Sequence, residues 1–165
     1  PSFSATAPGF RDAATRLLKS AQVPDMAMWL VKEEPSHYNF EAFTKEGGTT
    51  WTGVKNPLAQ KHLRGIRKDD LVFYYHTGDE KAVVGIAKAV GNAYPDPADR
   101  TGKAHVVELV PVKPLPRPVA LAEIKADRRF AKFPLTYLPR LSVMPVAEPE
   151  WSAILKLSAR PATAR

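Results

Sequence analysis

Leu71-Val72-Phe73-Tyr74-Tyr75-His76-Thr77-Gly78-Asp79 is the stretch on which the architecture turns. Its first six residues are rich in aromatic and branched side chains, which suit a pleated, half-buried surface. Thr77-Gly78-Asp79 then supplies turn chemistry, and residues 82–90 return as a second strand. That returning run is apolar on both faces, which marks a strand central in its sheet. A hairpin with a central strand requires further strands beside it.

The flanks provide them. Residues 28–32 read as a buried first strand, stopped by Pro35, and residues 49–52 are short and β-prone. Residues 104–112 and 141–144 are further strands, with 94–97 a loop between. The helices are short. Asn39 caps one at 40–45, closed by Gly47-Gly48. Asn56 caps another at 57–66, with Pro57 at its first position. On that helix Leu58, His62, Leu63 and Ile66 are assigned to the apolar face, with Lys61, Arg64, Arg67 and Lys68 away from it. Two more helices are expected at 121–126 and 149–157. Strands outnumber helices and are mostly joined by hairpins. The predicted class is α+β: a twisted mixed sheet or small β-barrel flanked by short helices.

The 165 residues suffice for one domain with a real core. Residues 1–25 differ from the rest, being small, polar and proline-containing, with Met26 or Met28 a natural start. They are expected to be an extension with little part in folding. The domain is assigned to 26–158, with 159–165 a tail. No apolar run approaches the 18 or so residues of a membrane span. The absence of cysteine removes disulfides, thiol catalysis and thiolate metal sites. It fits a reducing compartment, so the cytoplasm is expected, or the nucleus in a eukaryote. A net charge of +7 points to a polyanion, of which nucleic acid is the commonest. Sixteen prolines argue against a helical bundle. The chain is expected to act as a monomer.

Catalytic signatures are missing. His37, His62, His76 and His105 have no metal-ligand spacing, and there is no nucleophile elbow, phosphate loop or dinucleotide fingerprint. Glu33-Glu34 and Asp69-Asp70 are neighbours that point to opposite faces on a strand, so neither is a ready acid/base pair. No catalytic residue, metal or cofactor is expected. Trp29, Trp51, Tyr74, Tyr75 and His76 do lie in or beside strands, interleaved with Lys32, Lys55, Lys61, Arg64 and Arg140. Aromatics beside cations suit stacking on bases with the cations on phosphates. Ordinary core packing accounts for the same aromatics.

Six motifs in order resemble those of EVE domains, found in bacterial EVE proteins and the thymocyte nuclear protein family. They are Trp29-Leu30-Val31-Lys32-Glu33-Glu34-Pro35, Trp51-Thr52-Gly53-Val54-Lys55-Asn56, Phe73-Tyr74-Tyr75-His76-Thr77, Val84-Gly85-Ile86-Ala87, Ala93-Tyr94-Pro95-Asp96-Pro97 and Arg140-Leu141-Ser142-Val143. The resemblance implies a PUA-like barrel and a cleft that accepts a modified base of DNA or RNA. It places Trp51, Gly53, Val54, Lys55, Asn56, Tyr75, His76, Thr77, Leu141 and Ser142 around that cleft, with Lys32 and Glu34 at its edge. Lys61, Arg64 and Arg140 would contact phosphates. Lys55 stands where the family has Arg, so a planar clamp becomes a point charge. Thr77 replaces Ser and keeps the hydroxyl.

Each assignment has a structural counterpart. Trp51 either stacks on a base or plugs the barrel end, and His76 either reads a base edge or is a hydrogen-bonded core residue. Asn56 either contacts a base or caps its helix. Ser142 donates to ligand or to backbone, Arg140 holds a phosphate or sits on the surface, and Trp29 is assigned to the core. The leading function is a non-catalytic module holding a modified base. The alternative is an amidohydrolase of the related ASCH type, acting on a modified nucleoside through Lys32, Thr52 and Glu34.

Overall fold

The computed structural model describes residues 27–161; the expectation for residues 1–25 lies outside them. Seven strands form one mixed sheet: β1 Met28–Glu33, β2 Thr49–Trp51, β3 Leu71–His76, β4 Ala82–Ala89, β5 Tyr94–Pro95, β6 His105–Ala120 and β7 Val143–Pro145. Their order is β2-β6-β4-β3-β1-β7, with β5 paired to β6. Five helices accompany them: α1 Phe40–Glu46, α2 Pro57–Arg64, α3 Leu121–Lys125, α4 Pro134–Tyr137 and α5 Glu148–Ala159, with a 3-10 turn at Arg128–Phe130. The sheet is a half-barrel. Its edges β2 and β7 are not paired with each other, and α2 packs against both β6 and β7.

The opening stretch behaves as read. β3 and β4 form an antiparallel hairpin, and β4 runs between β3 and β6 with nearly every residue buried. Hairpins do not account for the whole sheet, however. β1 pairs parallel with β3, placing Lys32 beside Tyr75 and Glu33 beside His76. A parallel neighbour needs a long crossover, here the segment carrying α1, β2 and α2.

Alternation along β3 sends its side chains to opposite faces of the sheet. Phe73 stacks on Trp151 of α5, ring centroids 3.7 Å apart. Tyr74 faces the other way, into Phe40 and Phe43 of α1 and Trp51 of β2, with centroids 5.3 to 5.4 Å away. Phe40 lies over β4 at Gly85, where a Cβ would come within 2.4 Å of its ring. No larger residue fits without displacing the Phe40 ring.

Several boundaries differ from the sequence reading. β6 continues to Ala120 instead of ending at 112, through Pro111, Pro114, Pro116 and Pro118. Proline already has a β-compatible φ, and its missing N–H is tolerated where the ladder is irregular. The β4–β6 register indeed shifts twice along this run. The loop at 94–97 contains β5, and β7 starts at Val143, with 141–142 outside the strand. The 3-10 turn and α4 were not anticipated, because each is too short to show a period. On α2, Leu58 is exposed, and Ala59, Gln60 and Leu63 form the buried face. That spacing of three to four residues is the helical stripe, and Leu58 falls one residue outside it.

Trp29 belongs to the core, as expected. Its indole Nε1 donates to Asp70 Oδ2 at 2.9 Å. Asp70, 1% exposed, also accepts from the backbone N–H groups of Arg67 and Ala27 at 2.9 and 3.2 Å. One buried carboxylate thus ties β1 to the turn before β3, with both of its oxygens engaged.

Candidate nucleic-acid interface

The C-terminal ends of β1 and β3 lie at the same end of the sheet because the two strands are parallel. Several sequence-selected residues gather there. The Lys32 ammonium lies 5.5 Å from the centroid of the Tyr75 ring and donates to the Pro139 carbonyl at 3.1 Å. The Lys32 backbone N–H donates to the Ser142 carbonyl at 3.0 Å. Burial lowers the Lys32 pKa and pushes that of the Tyr75 phenol up to about 12. An ammonium carries three donors; the Pro139 carbonyl engages one. The Ser142 hydroxyl is half-buried and makes no hydrogen bond among the described residues. Leu141 beside it is buried. Lys32, Tyr75 and Ser142 therefore form a partly desolvated polar group with donors to spare.

His76 and Trp51 lie on the other face of the sheet, linked through Tyr74. The Tyr74 ring is 5.7 Å from that of His76 and 5.4 Å from that of Trp51. Desolvation raises the Tyr74 pKa well above the ordinary phenol range. The Phe40 backbone N–H donates to His76 Nε2 at 3.1 Å, and Nδ1 lies 2.9 Å from Glu80 Oε1. A backbone amide can only donate, so Nε2 is the unprotonated nitrogen and Nδ1 donates to Glu80. Both ring nitrogens are thereby engaged, which is the core-histidine arrangement. Trp51 is 6% exposed and lies edge-on to Tyr74, so only a margin of the indole is open.

Glu34 and Thr77 meet at the rim. Thr77 Oγ1 donates to Glu34 Oε1 at 3.3 Å, and Ser36 Oγ donates to Glu34 Oε2 at 3.1 Å. The loop after Trp51 forms a separate group. Gly53 adopts φ +76°, a conformation side chains disfavour. Val54 packs on the core, and its carbonyl accepts from Gln60 Nε2 at 2.7 Å. Gln60 also accepts from the His105 backbone N–H at 3.0 Å, so this one amide fastens the loop to β6. Asn56 caps α2, its Oδ1 accepting from the Ala59 N–H at 3.0 Å. Lys55, Lys61, Arg64 and Arg140 are exposed and make no ion pair among the described residues. Residues 55–68 carry five Lys or Arg and no acid.

Lys32, Thr52 and Glu34 are not assembled. Thr52 is exposed beyond β2, and no hydrogen bond joins the three among the described residues. Nor does any group of three or more His, Asp or Glu converge as a metal site among those residues. No helix described is long and apolar enough to cross a membrane. The sequence reading missed Pro139, Glu80 and Gln60. Pro139 and Gln60 act through contacts 107 and 45 residues away in the chain, beyond any local pattern. Glu80 lies four residues from His76, across a turn.

Residues 27–157 match the family model for the EVE domain. The solved structure of Rpa0253 from Rhodopseudomonas palustris is 43% identical, superposes with a TM-score of 0.77, and covers 81% of this chain and 93% of its own. Human THYN1, solved in complex with DNA containing 5-methylcytosine, is 25% identical with a TM-score of 0.76, covering 82% and 99%. Rat thymocyte nuclear protein 1 is 29% identical over 78% of this chain and 72% of its own length. With the PUA-like half-barrel and the ordered motifs in place, this chain belongs to the EVE domain family.

Proposed function

We propose that the chain is a binding module that takes a modified base out of its strand and holds it in a cleft. The observation that carries this reading is the polar group at the end of β1. A partly buried ammonium with unspent donors belongs to a residue whose backbone N–H donates to the Ser142 carbonyl, and the Ser142 hydroxyl has no partner among the described residues. Partly desolvated donors give up few water contacts on binding, and a base edge supplies acceptors for them. The human relative solved with 5-methylcytosine DNA supports DNA as the strand.

In this reading Lys32 and Ser142 read the base edge, with Tyr75 supporting the Lys32 stem. Across the open ends of the strands, Trp51 closes the cleft from the other face of the sheet, and Gly53, Val54, Lys55 and Asn56 form the facing loop. His76, Leu141, Thr77 and Glu34 hold the walls in place, and Lys55, Lys61, Arg64 and Arg140 hold phosphates. Extruding a base costs a few kcal/mol, and stacking recovers about 1–3 kcal/mol. A buried methyl adds only about 0.8 kcal/mol, roughly fourfold. Strong discrimination therefore depends on polar contacts that a wrong base leaves unpaired.

The test is fluorescence anisotropy with matched DNA and RNA oligonucleotides, each bearing cytosine or 5-methylcytosine at one position, among other modified bases. The native chain should prefer one modified oligonucleotide. Lys32→Met keeps the stem over Tyr75 and removes the donors, so it should erase that preference while changing unmodified binding little. Equal affinity of the native chain for every oligonucleotide in the panel would sink the reading.

A further inference from the structure

We propose that Tyr137 and Arg140 form a second contact point beside the cleft. There the tyrosine ring stacks on the base next to the recognised one, and the guanidinium holds that nucleotide's phosphate. The proposal rests on the modified-base reading and extends it to the flanking strand. Tyr137 is 55% exposed, more than any other large apolar side chain among the described residues. It makes no hydrogen bond and no ring contact among them. Its backbone is firmly seated. Phe133 and Leu135 are buried, the Leu138 N–H donates to the Pro134 carbonyl at 2.8 Å, and Thr136 Oγ1 donates to the Phe133 carbonyl at 2.8 Å. A ring that packing does not require, held on a rigid half-turn, is a preorganised stacking surface.

The chain runs from this ring directly to the cleft. Pro139, two residues on, accepts the Lys32 ammonium, and the Ser142 carbonyl accepts the Lys32 N–H. Two residues span at most about 7 Å, about two steps at the roughly 3.4 Å rise of a duplex strand. The electrostatics fit the same occupant. From Arg128 to Ala147 there are four cations and no acid. Arg129 is held by Asp127 at 2.6 Å, whereas Arg128, Lys132 and Arg140 are exposed and make no ion pair among the described residues. An aromatic face set among open cations matches alternating bases and phosphates.

The experiment is a cycle between protein and DNA. Anisotropy is measured on single-stranded and duplex DNA containing one 5-methylcytosine, with an abasic site placed in turn at each flanking position. Tyr137→Ala should weaken binding roughly 5- to 150-fold, and Tyr137→Phe should not. One abasic position should weaken native binding by the same factor yet cost Tyr137→Ala nothing more. The ratio of modified to unmodified affinity should stay unchanged in the variant. Native affinity in Tyr137→Ala, or independent losses at every abasic position, overturns the proposal. If the native chain shows no preference for the modified base but the coupling holds, the cleft reading fails and the stacking contact stands. If the preference holds without coupling, the stacking contact alone is refuted.

Discussion

Trp51→Ala removes an indole that is 6% exposed and lies edge-on to Tyr74 at 5.4 Å. Deleting a buried Trp costs roughly 3–5 kcal/mol, because the transfer term and the cavity left behind add. A domain of this size loses about 4 °C of melting temperature per kcal/mol, so the midpoint should fall by about 12–20 °C. Total stabilities of about 5–15 kcal/mol leave most of the variant folded in the cold unless the native chain lies at the bottom of that range. The assay is therefore a circular dichroism melt followed by anisotropy at low temperature. In the folded variant, preference for the modified base should vanish, while unmodified binding and its salt dependence hold. Trp51 carries no charge, and phosphate contacts position a strand whereas base contacts specify it. A fall in melting temperature under about 3 °C would refute the packing argument. A folded variant that keeps the native preference would show that Trp51 does not close the cleft.

Other variants address the remaining assignments. Lys55→Ala should weaken all strands alike and flatten the logarithmic salt slope by about 0.7–0.9, one phosphate contact; an unchanged slope removes Lys55 from the strand path. Asn56→Ala loses the Oδ1 cap on the Ala59 N–H, which should cost about 0.5–2 kcal/mol of stability; a stability loss without a change in base preference assigns Asn56 to capping alone. Asp99 accepts foremost from the Ala104 backbone N–H, then from Thr101, and its pKa is drawn down to about 2. A depressed carboxyl pKa stabilises the fold above its unfolded value of 3.8 and loses that contribution as pH falls through about 2. Hydrogen exchange at the Ala104 amide should accordingly stay protected near pH 4 and lose protection near pH 2, and loss already at pH 4 would contradict this.

Several local features were legible because their causes are local. Asn39 and Asn56 cap helices through bonds to residues three positions on, a pattern short enough to read directly. β4 was read as central because apolar residues occupy both of its faces, and burial on both faces is what a central strand requires. β6 extends beyond the expected 104–112 because the bulged ladder tolerates the missing donors of its prolines. Leu58 was placed inward although the buried stripe of α2 runs through Ala59 and Leu63. A helix of eight residues has too few positions to fix its phase unaided.

The candidate site divides along the same line. The resemblance to EVE-domain motifs named Trp51, Lys32, Tyr75, His76 and Ser142, and composition alone pointed to a polyanion through a charge of +7. Neither shows which of these residues meet. The parallel pairing of β1 with β3, across a crossover of some forty residues, brings the Lys32 side chain to Tyr75. The same pairing sends His76 to the opposite face, where Phe40 and Glu80 occupy its two nitrogens. Period and capping are properties of neighbours in the chain, so the chain's order contains them. Which polar groups gather at the strand ends depends on contacts such as Lys32 with Pro139, 107 residues apart, which exist only once the sheet has curled and set β1 beside the loop before β7.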